Sequence, residues 1–283
     1  MNEQNLRQVK DLKKSTPVPG TYTGTVSGEK REGNGEMVFK DNDRGLERYV
    51  GTWSKDFMNH GKMTLKDGVY EGAFLNNYFE GAGKWTTSSG IYEGTFARGE
   101  LVKGTYKGSG EYKKGAFIHD TLVGDGTWID STGNKIVGKF SEGKPLGGVF
   151  KIDYANGDKY EGKLVESGDR FVPNDDRGKL TTDTKVILGN FVNGHASGSG
   201  VITYPTGTYT GFIDRGNPHG YGAMTYKNGK TYKGSWTRGK KNGEGILTYH
   251  KKTWKGTWDN GKLKSITGGS HSKRRKIRQY RHR

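Results

Sequence analysis

Apolar side chains in this chain seldom stand side by side; they alternate with polar residues, and glycine fills many of the slots between them. In YKGSWTRGKKNGEGILTY, residues 232–249, Tyr232, Gly234 and Trp236 share one parity, and Gly243, Gly245 and Leu247 repeat the alternation further on. Successive side chains of a strand point to opposite faces, so each triplet lies on one face. The pattern predicts a β-hairpin with an aromatic and glycine face and a polar face. A strand glycine leaves bare backbone on which a neighbouring ring can lie. Gly243 and Gly245 are therefore both expected to be sockets for Tyr232 and Trp236.

The hairpin recurs about every 22 residues. Tyr209, Gly211, Ile213, Gly220, Gly222 and Met224 keep its offsets, as do Tyr70, Gly72, Phe74, Gly81, Gly83 and Trp85, and Ile187, Gly189, Phe191, Gly198, Gly200 and Ile202. Weaker copies begin at Tyr22, Tyr49, Gly115, Gly138, Tyr160 and Trp254, with Tyr112 displaced by one residue and the Trp254 unit incomplete. A period of this length marks a repeat array in which each unit buries its face on its neighbours. About ten units fit between residues 21 and 261, joined by turns such as Asn228-Gly229, Asn156-Gly157 and Asp67-Gly68.

The Tyr-x-Gly-x-Trp/Phe triplet, the Gly-x-Gly strand and the Asx-Gly turn together resemble the MORN repeat family. The resemblance implies an all-β fold: an elongated, twisted, single-layer antiparallel sheet of about ten consecutive hairpins. The chain then divides into an N-terminal segment at 1–20, an array at 21–264 and a basic tail at 265–283; Leu6, Val9 and Leu12, at helical spacing before Pro17 and Pro19, suit either a short capping helix or a frayed tail. Within the array, residues 98–112 depart from the spacing, residues 165–185 read as an insertion, and Tyr22 and Tyr49 are unusually far apart. Members of the family serve in cytoskeletal, ciliary and membrane-associated assemblies, and occur in protists, bacteria and large viruses.

Composition fits many short strands better than a large core. Only 30% of residues are hydrophobic and mean hydropathy is −0.91, yet aromatics reach 12% and there are 48 glycines among 283 residues. With no cysteine, disulfides, thiolate nucleophiles and cysteine-ligated zinc are excluded. No apolar run approaches the roughly 20 residues of a membrane span, and the first residues lack the apolar core of a secretory signal. A soluble intracellular protein is expected, either cytoplasmic, on cytoskeleton or membrane, or part of a virus particle.

No motif carries chemistry. GAGKW at 81–85 ends like a phosphate-binding loop, but Tyr78 stands where the first glycine is needed and Trp85 where Ser or Thr is needed. DNDRGLE at 41–47 lacks the twelve-residue frame of a calcium loop. Asp175 and Asp176, in the insertion, read as a solvated loop. His60 and His219 each precede the first glycine of a strand, and His119, His195 and His250 have no partner at metal or triad spacing. The lipid kinase and methyltransferase domains fused to some members of the family do not fit in the residues that follow the array. No enzyme, cofactor or metal is expected.

Charge adds an anchor. The net charge is +17, and residues 262–283 hold nine Lys or Arg and no Asp or Glu, which leaves +8 for residues 1–261. Lys273, Arg274, Arg275, Lys276, Arg278, Arg281 and Arg283 are the candidate anion-binding residues. Such an arm suits a solvated tail, an acidic protein surface, an anionic membrane or, through seven or so phosphate contacts, sequence-blind nucleic-acid binding. The expected function is a non-enzymatic scaffold that holds protein partners in a larger assembly, with self-association through its open sheet ends and aromatic face; the alternative is a module whose repeat array itself binds anionic phospholipid membrane.

Overall fold

The computed structural model describes residues 19–40, 45–168 and 170–270. The expected N-terminal helix and the loop at 41–44 lie outside them, as do the seven tail residues. Every element is a strand or turn, with no helix among the described residues. The chain divides into two units, residues 1–155 and 156–283. The first contains β1 (Gly20–Ser27), β2 (Lys30–Phe39), β3 (Leu46–Ser54), β4 (Phe57–Leu65), β5 (Gly68–Leu75), β6 (Tyr78–Thr87), β7 (Ile91–Ala97), β8 (Glu100–Gly108), β9 (Glu111–Ile118), β10 (Thr121–Ile129), β11 (Lys135–Ser141), β12 (Lys144–Pro145) and β13 (Phe150–Asp153). The second contains β14 (Lys159–Gly162), β15 (Leu164–Ser167), β16 (Arg170–Pro173), β17 (Asp175–Thr181), β18 (Val186–Val192), β19 (His195–Tyr204), β20 (Gly207–Asp214), β21 (Asn217–Tyr226), β22 (Thr231–Thr237), β23 (Lys240–Tyr249), β24 (Lys252–Asp259) and β25 (Lys262–Gly269).

Pairing is antiparallel and follows chain order, except that β11 also pairs with β13 beyond the short β12 and β14 pairs with β17 past the β15–β16 hairpin; no barrel closes, as β1 pairs with β2 and β25 with β24. One glycine register runs through much of each unit. Gly24, Gly35, Gly51, Gly61, Gly72, Gly83, Gly94, Gly104 and Gly115 pair in succession across β1 to β9. Gly178, Gly189, Gly200, Gly211, Gly222, Gly234, Gly245 and Gly256 do the same across β17 to β24. Rings roof these rows. A Cβ on Gly245 would lie 2.5 Å from the Tyr232 hydroxyl, one on Gly222 2.3 Å from that of Tyr209, and the Tyr70 ring blocks Gly83 in the same way.

The first glycine of each Gly-x-Gly has a different task, which corrects the socket expectation for Gly81, Gly220 and Gly243. At Gly243 a Cβ would meet Ser235, not a ring, but φ is +97°, a left-handed value that side chains resist. Gly81 (φ +66°) and Gly220 (φ +58°) match it. Each is the middle of three residues that face a single residue on the preceding strand, such as Asn242, Gly243 and Glu244 opposite Ser235. These bulges leave the carbonyl of the single residue without its ladder partner, and the tyrosine hydroxyl takes it. Tyr232 donates to Ser235 O at 3.1 Å, Tyr209 to Phe212 O at 2.7 Å and Tyr70 to Ala73 O at 3.1 Å.

Residues 98–112, expected to be irregular, are in register. Between β7 and β8 the bulge has one extra residue, Val102, where other hairpins have two, so no left-handed glycine is needed and the spacing shortens. The same one-residue bulge, at Asn59, explains the short unit at Tyr49. The insertion is smaller than 165–185: β15 and β16 form their own hairpin, and β17 returns to the row with Tyr160 opposite Leu180. The array also extends past residue 264. β25 completes the last hairpin, with Ile266 opposite Gly256 in place of a glycine and two register shifts to accommodate it.

Candidate functional site

The aromatic face is filled by the protein's own rings. Tyr70 packs edge-on to Phe74 at 5.2 Å and Phe96 at 5.3 Å, and Tyr232 to Trp236 at 5.2 Å and Trp258 at 5.0 Å. Each tyrosine is thus held between the ring of its own repeat and that of the next, a favoured geometry for aromatic pairs. Tyr49, Tyr70, Tyr209 and Tyr232 are 0% exposed. Burial pushes the hydroxyls of Tyr49, Tyr209 and Tyr232 up to about 12 and raises Tyr70 and Tyr92 as well. These phenols are neutral hydrogen-bond donors, not bases.

Cations cover some of the rings, both in the regular repeats and where the pattern weakens. Lys113, rather than Tyr112, takes the tyrosine register on β9, pairing with Tyr106 and Trp128. Its ammonium lies 5.7 Å from the Tyr106 centroid and 5.1 Å from that of Trp128, with Glu111 3.1 Å away. Lys241 sits 5.2 Å over Tyr226 and 5.0 Å over Tyr232, where burial lowers its pKa. Arg31 stacks 4.3 Å over Trp53 and binds Asp56 at 3.1 Å.

The motifs that imitate chemistry have structural roles. In GAGKW, Gly81 forms a bulge, Gly83 lies beneath Tyr70 and Trp85 is buried beside Tyr92. Asp175 accepts the backbone N–H of Lys163 at 2.7 Å and of Arg177 at 2.9 Å, which holds β17 at its entry. His119 and His250 occupy left-handed turn positions. Among the described residues no three of His, Asp and Glu are placed to hold a metal ion.

The polar candidate surface is the last two hairpins, β22 to β25, with the turn before them. Residues 227–270 contain eleven Lys or Arg against Glu244 and Asp259, a net +9, and residues 271–283 add seven. Together they carry +16 of the +17, and residues 1–226 only +1. Lys233 and Lys255 flank Ile246 in one cross-strand row on the polar face, all three exposed. Lys227, Arg238, Lys240, Lys251, Lys252 and Lys262 are exposed around the turns. Lys264 pairs with Asp259 at 3.2 Å. Sequence reasoning placed the positive charge in the tail because it drew the boundary at residue 262. A running charge sum finds the folded part as well.

The MORN repeat signature matches residues 22–44, 49–69, 70–91, 188–209, 209–231 and 232–253. A search among curated proteins found no match. Between the matched segments, β7 to β9 and β17 to β18 carry the same glycine rows, with bulges in β8 and β17. The chain belongs to the MORN-repeat family.

Proposed function

We propose that this protein is a non-enzymatic scaffold that holds protein partners within a larger intracellular assembly, of cytoskeleton, membrane or virus particle, and that β22 to β25 with residues 271–283 anchor it on an acidic surface. MORN repeats commonly take part in contacts with proteins or with membrane phospholipids. The observation that carries the reading is the charge division: +16 lies within residues 227–283, beside a remainder that is nearly neutral. An acidic protein surface fits because the exposed lysines are distributed over one polar face and both sets of turns, with Ile246 among them. Turnover of a phosphoinositide or histone substrate by the purified chain would overturn the non-enzymatic reading.

The second reading, an anionic membrane, is favoured by the same lysines, each worth about 1 kcal/mol near such a surface. Vesicle sedimentation separates the contributions. The chain should be ended after Ser270, because β25 runs to Gly269 and Ser270 hydrogen-bonds Thr253. Retention by anionic but not neutral vesicles would establish lipid as a partner, and its survival after truncation would assign the contact to the hairpins. Nucleic-acid binding has less support, because the central rings of the ladder are buried and offer bases little to stack on.

A further inference from the structure

The polar face of β2 to β9 carries a different pattern. One cross-strand row reads Glu36, Val50, Lys62, Glu71, Lys84, Glu93, Thr105 and Lys114, each paired with the next. The row is antisymmetric in charge about the boundary between β5 and β6. Counting outward, Glu71 mirrors Lys84, Lys62 mirrors Glu93, Val50 mirrors Thr105 and Glu36 mirrors Lys114. Lateral ion pairing, such as Lys62 to Glu71 at 2.8 Å, requires alternation between neighbours but no centre of symmetry across eight strands.

From this antisymmetry we infer that the face is a homotypic docking surface, whose occupant is the same face of a second copy of this chain. A two-fold axis parallel to the strands, between β5 and β6, reverses the row and places each charge opposite its complement. An interface of this kind presents the same patch from both subunits. The centre admits close approach. Beside the charged row lies a trough of about 860 Å³, floored by Gly61, Gly72, Gly83 and Gly94, with His60, Ala82 and Thr95 on its far wall. Two twisted sheets stack at about 30°, so the central six strands, β3 to β8, make the contact. They measure about 29 Å across by about 27 Å along the strands, on the order of the 800 Å² per partner of a specific interface. The next row outward has one like-charge meeting, Arg48 opposite Lys107, and Arg48 is already held by Glu36 at 2.8 Å.

The test uses two substitutions in the full chain, Lys62→Glu and Glu93→Lys. Each alone brings two like-charge pairs into the two-fold contact, so both variants should stay monomeric in sedimentation velocity where the wild type pairs, with affinity at least roughly tenfold weaker. When the two variants are mixed, positions 62 and 93 again meet with opposite charge at both contacts of the mixed pair, one in the wild-type polarity and one reversed. The mixture should therefore pair about as well as the wild type. Lateral pairs within each sheet are equally disturbed alone and mixed, so only the predicted contact gives this rescue. The inference is overturned if the wild type is monomeric at roughly 100 µM in low salt, if either variant pairs like the wild type, or if mixing restores nothing.

Discussion

Tyr232 performs three tasks that the repeat assigns to one side chain: its ring roofs Gly245, its edge meets two tryptophans, and its hydroxyl satisfies the bulge carbonyl of Ser235. Replacement by Phe keeps the first two and orphans the carbonyl, so Tyr232→Phe should cost about 1–3 kcal/mol in chemical denaturation. Gly245→Ala should cost about as much through collision of Cβ with the ring, and less in a Tyr232→Leu background, a double-mutant test of the socket. Gly243→Ala should instead cost about 1 kcal/mol or more through its backbone angle, whatever residue stands at 232. The buried phenols also fix a pH dependence. Their pKa values are raised above the unfolded value near 10, so their contribution is intact below pH 10 and is lost as pH rises through about 12. Thermal melts should show falling stability across that window and none of this loss between about pH 7 and 9. The second glycine was legible from spacing because ring and socket share parity. The first was misread because a left-handed φ and a missing side chain leave the same letter in the sequence.

At the scale of elements, the repeat tolerates two bulge lengths, and this decides how much of the array can be read. Where the bulge has two extra residues it needs a central glycine, and the Gly-x-Gly pair announces the strand. Where it has one, as at Val102, the announcement disappears while the pairing continues. Residues 98–112 and the short unit at Tyr49 were legible as repeats only in part for this reason. β25 was missed because Ile266 replaces the row glycine and the backbone shifts register around it. That strand is not an ornament. It covers the edge of β24, and Leu263 lies over Gly256. Ending the chain after Asn260 should therefore expose Trp258, which is 5% exposed in the intact hairpin, and raise amide exchange in β24 while β20 and β21 stay protected. Uniform loss of protection throughout residues 156–260 would show that the units are not separable in this way.

For the molecule as a whole, charge and sheet architecture answer different questions. The rings and glycines account for one face of the array, and the other face is free to vary. In β2 to β9 it alternates in sign, and in β22 to β25 it carries Lys233 and Lys255 about Ile246, with further cations at the turns and Glu244 as its acid. The family and its all-β fold were legible from the offsets alone, whereas the extent of the basic surface was not, because net charge was summed over residues 1–261 as one block. If the hairpins share in anchoring, binding of the full chain to an acidic protein surface should weaken steeply with salt. The chain ended after Ser270, still +10 by subtraction of the seven tail cations, should retain part of that binding. The most direct test is crosslinking mass spectrometry in the native setting, comparing the full chain with the one that ends at Ser270. A scaffold anchored by its folded surface predicts crosslinks from Lys233, Lys240 and Lys255 to acidic segments of partner proteins in both forms. Crosslinks to partners that arise only from residues 271–283, and vanish on truncation, would contradict it.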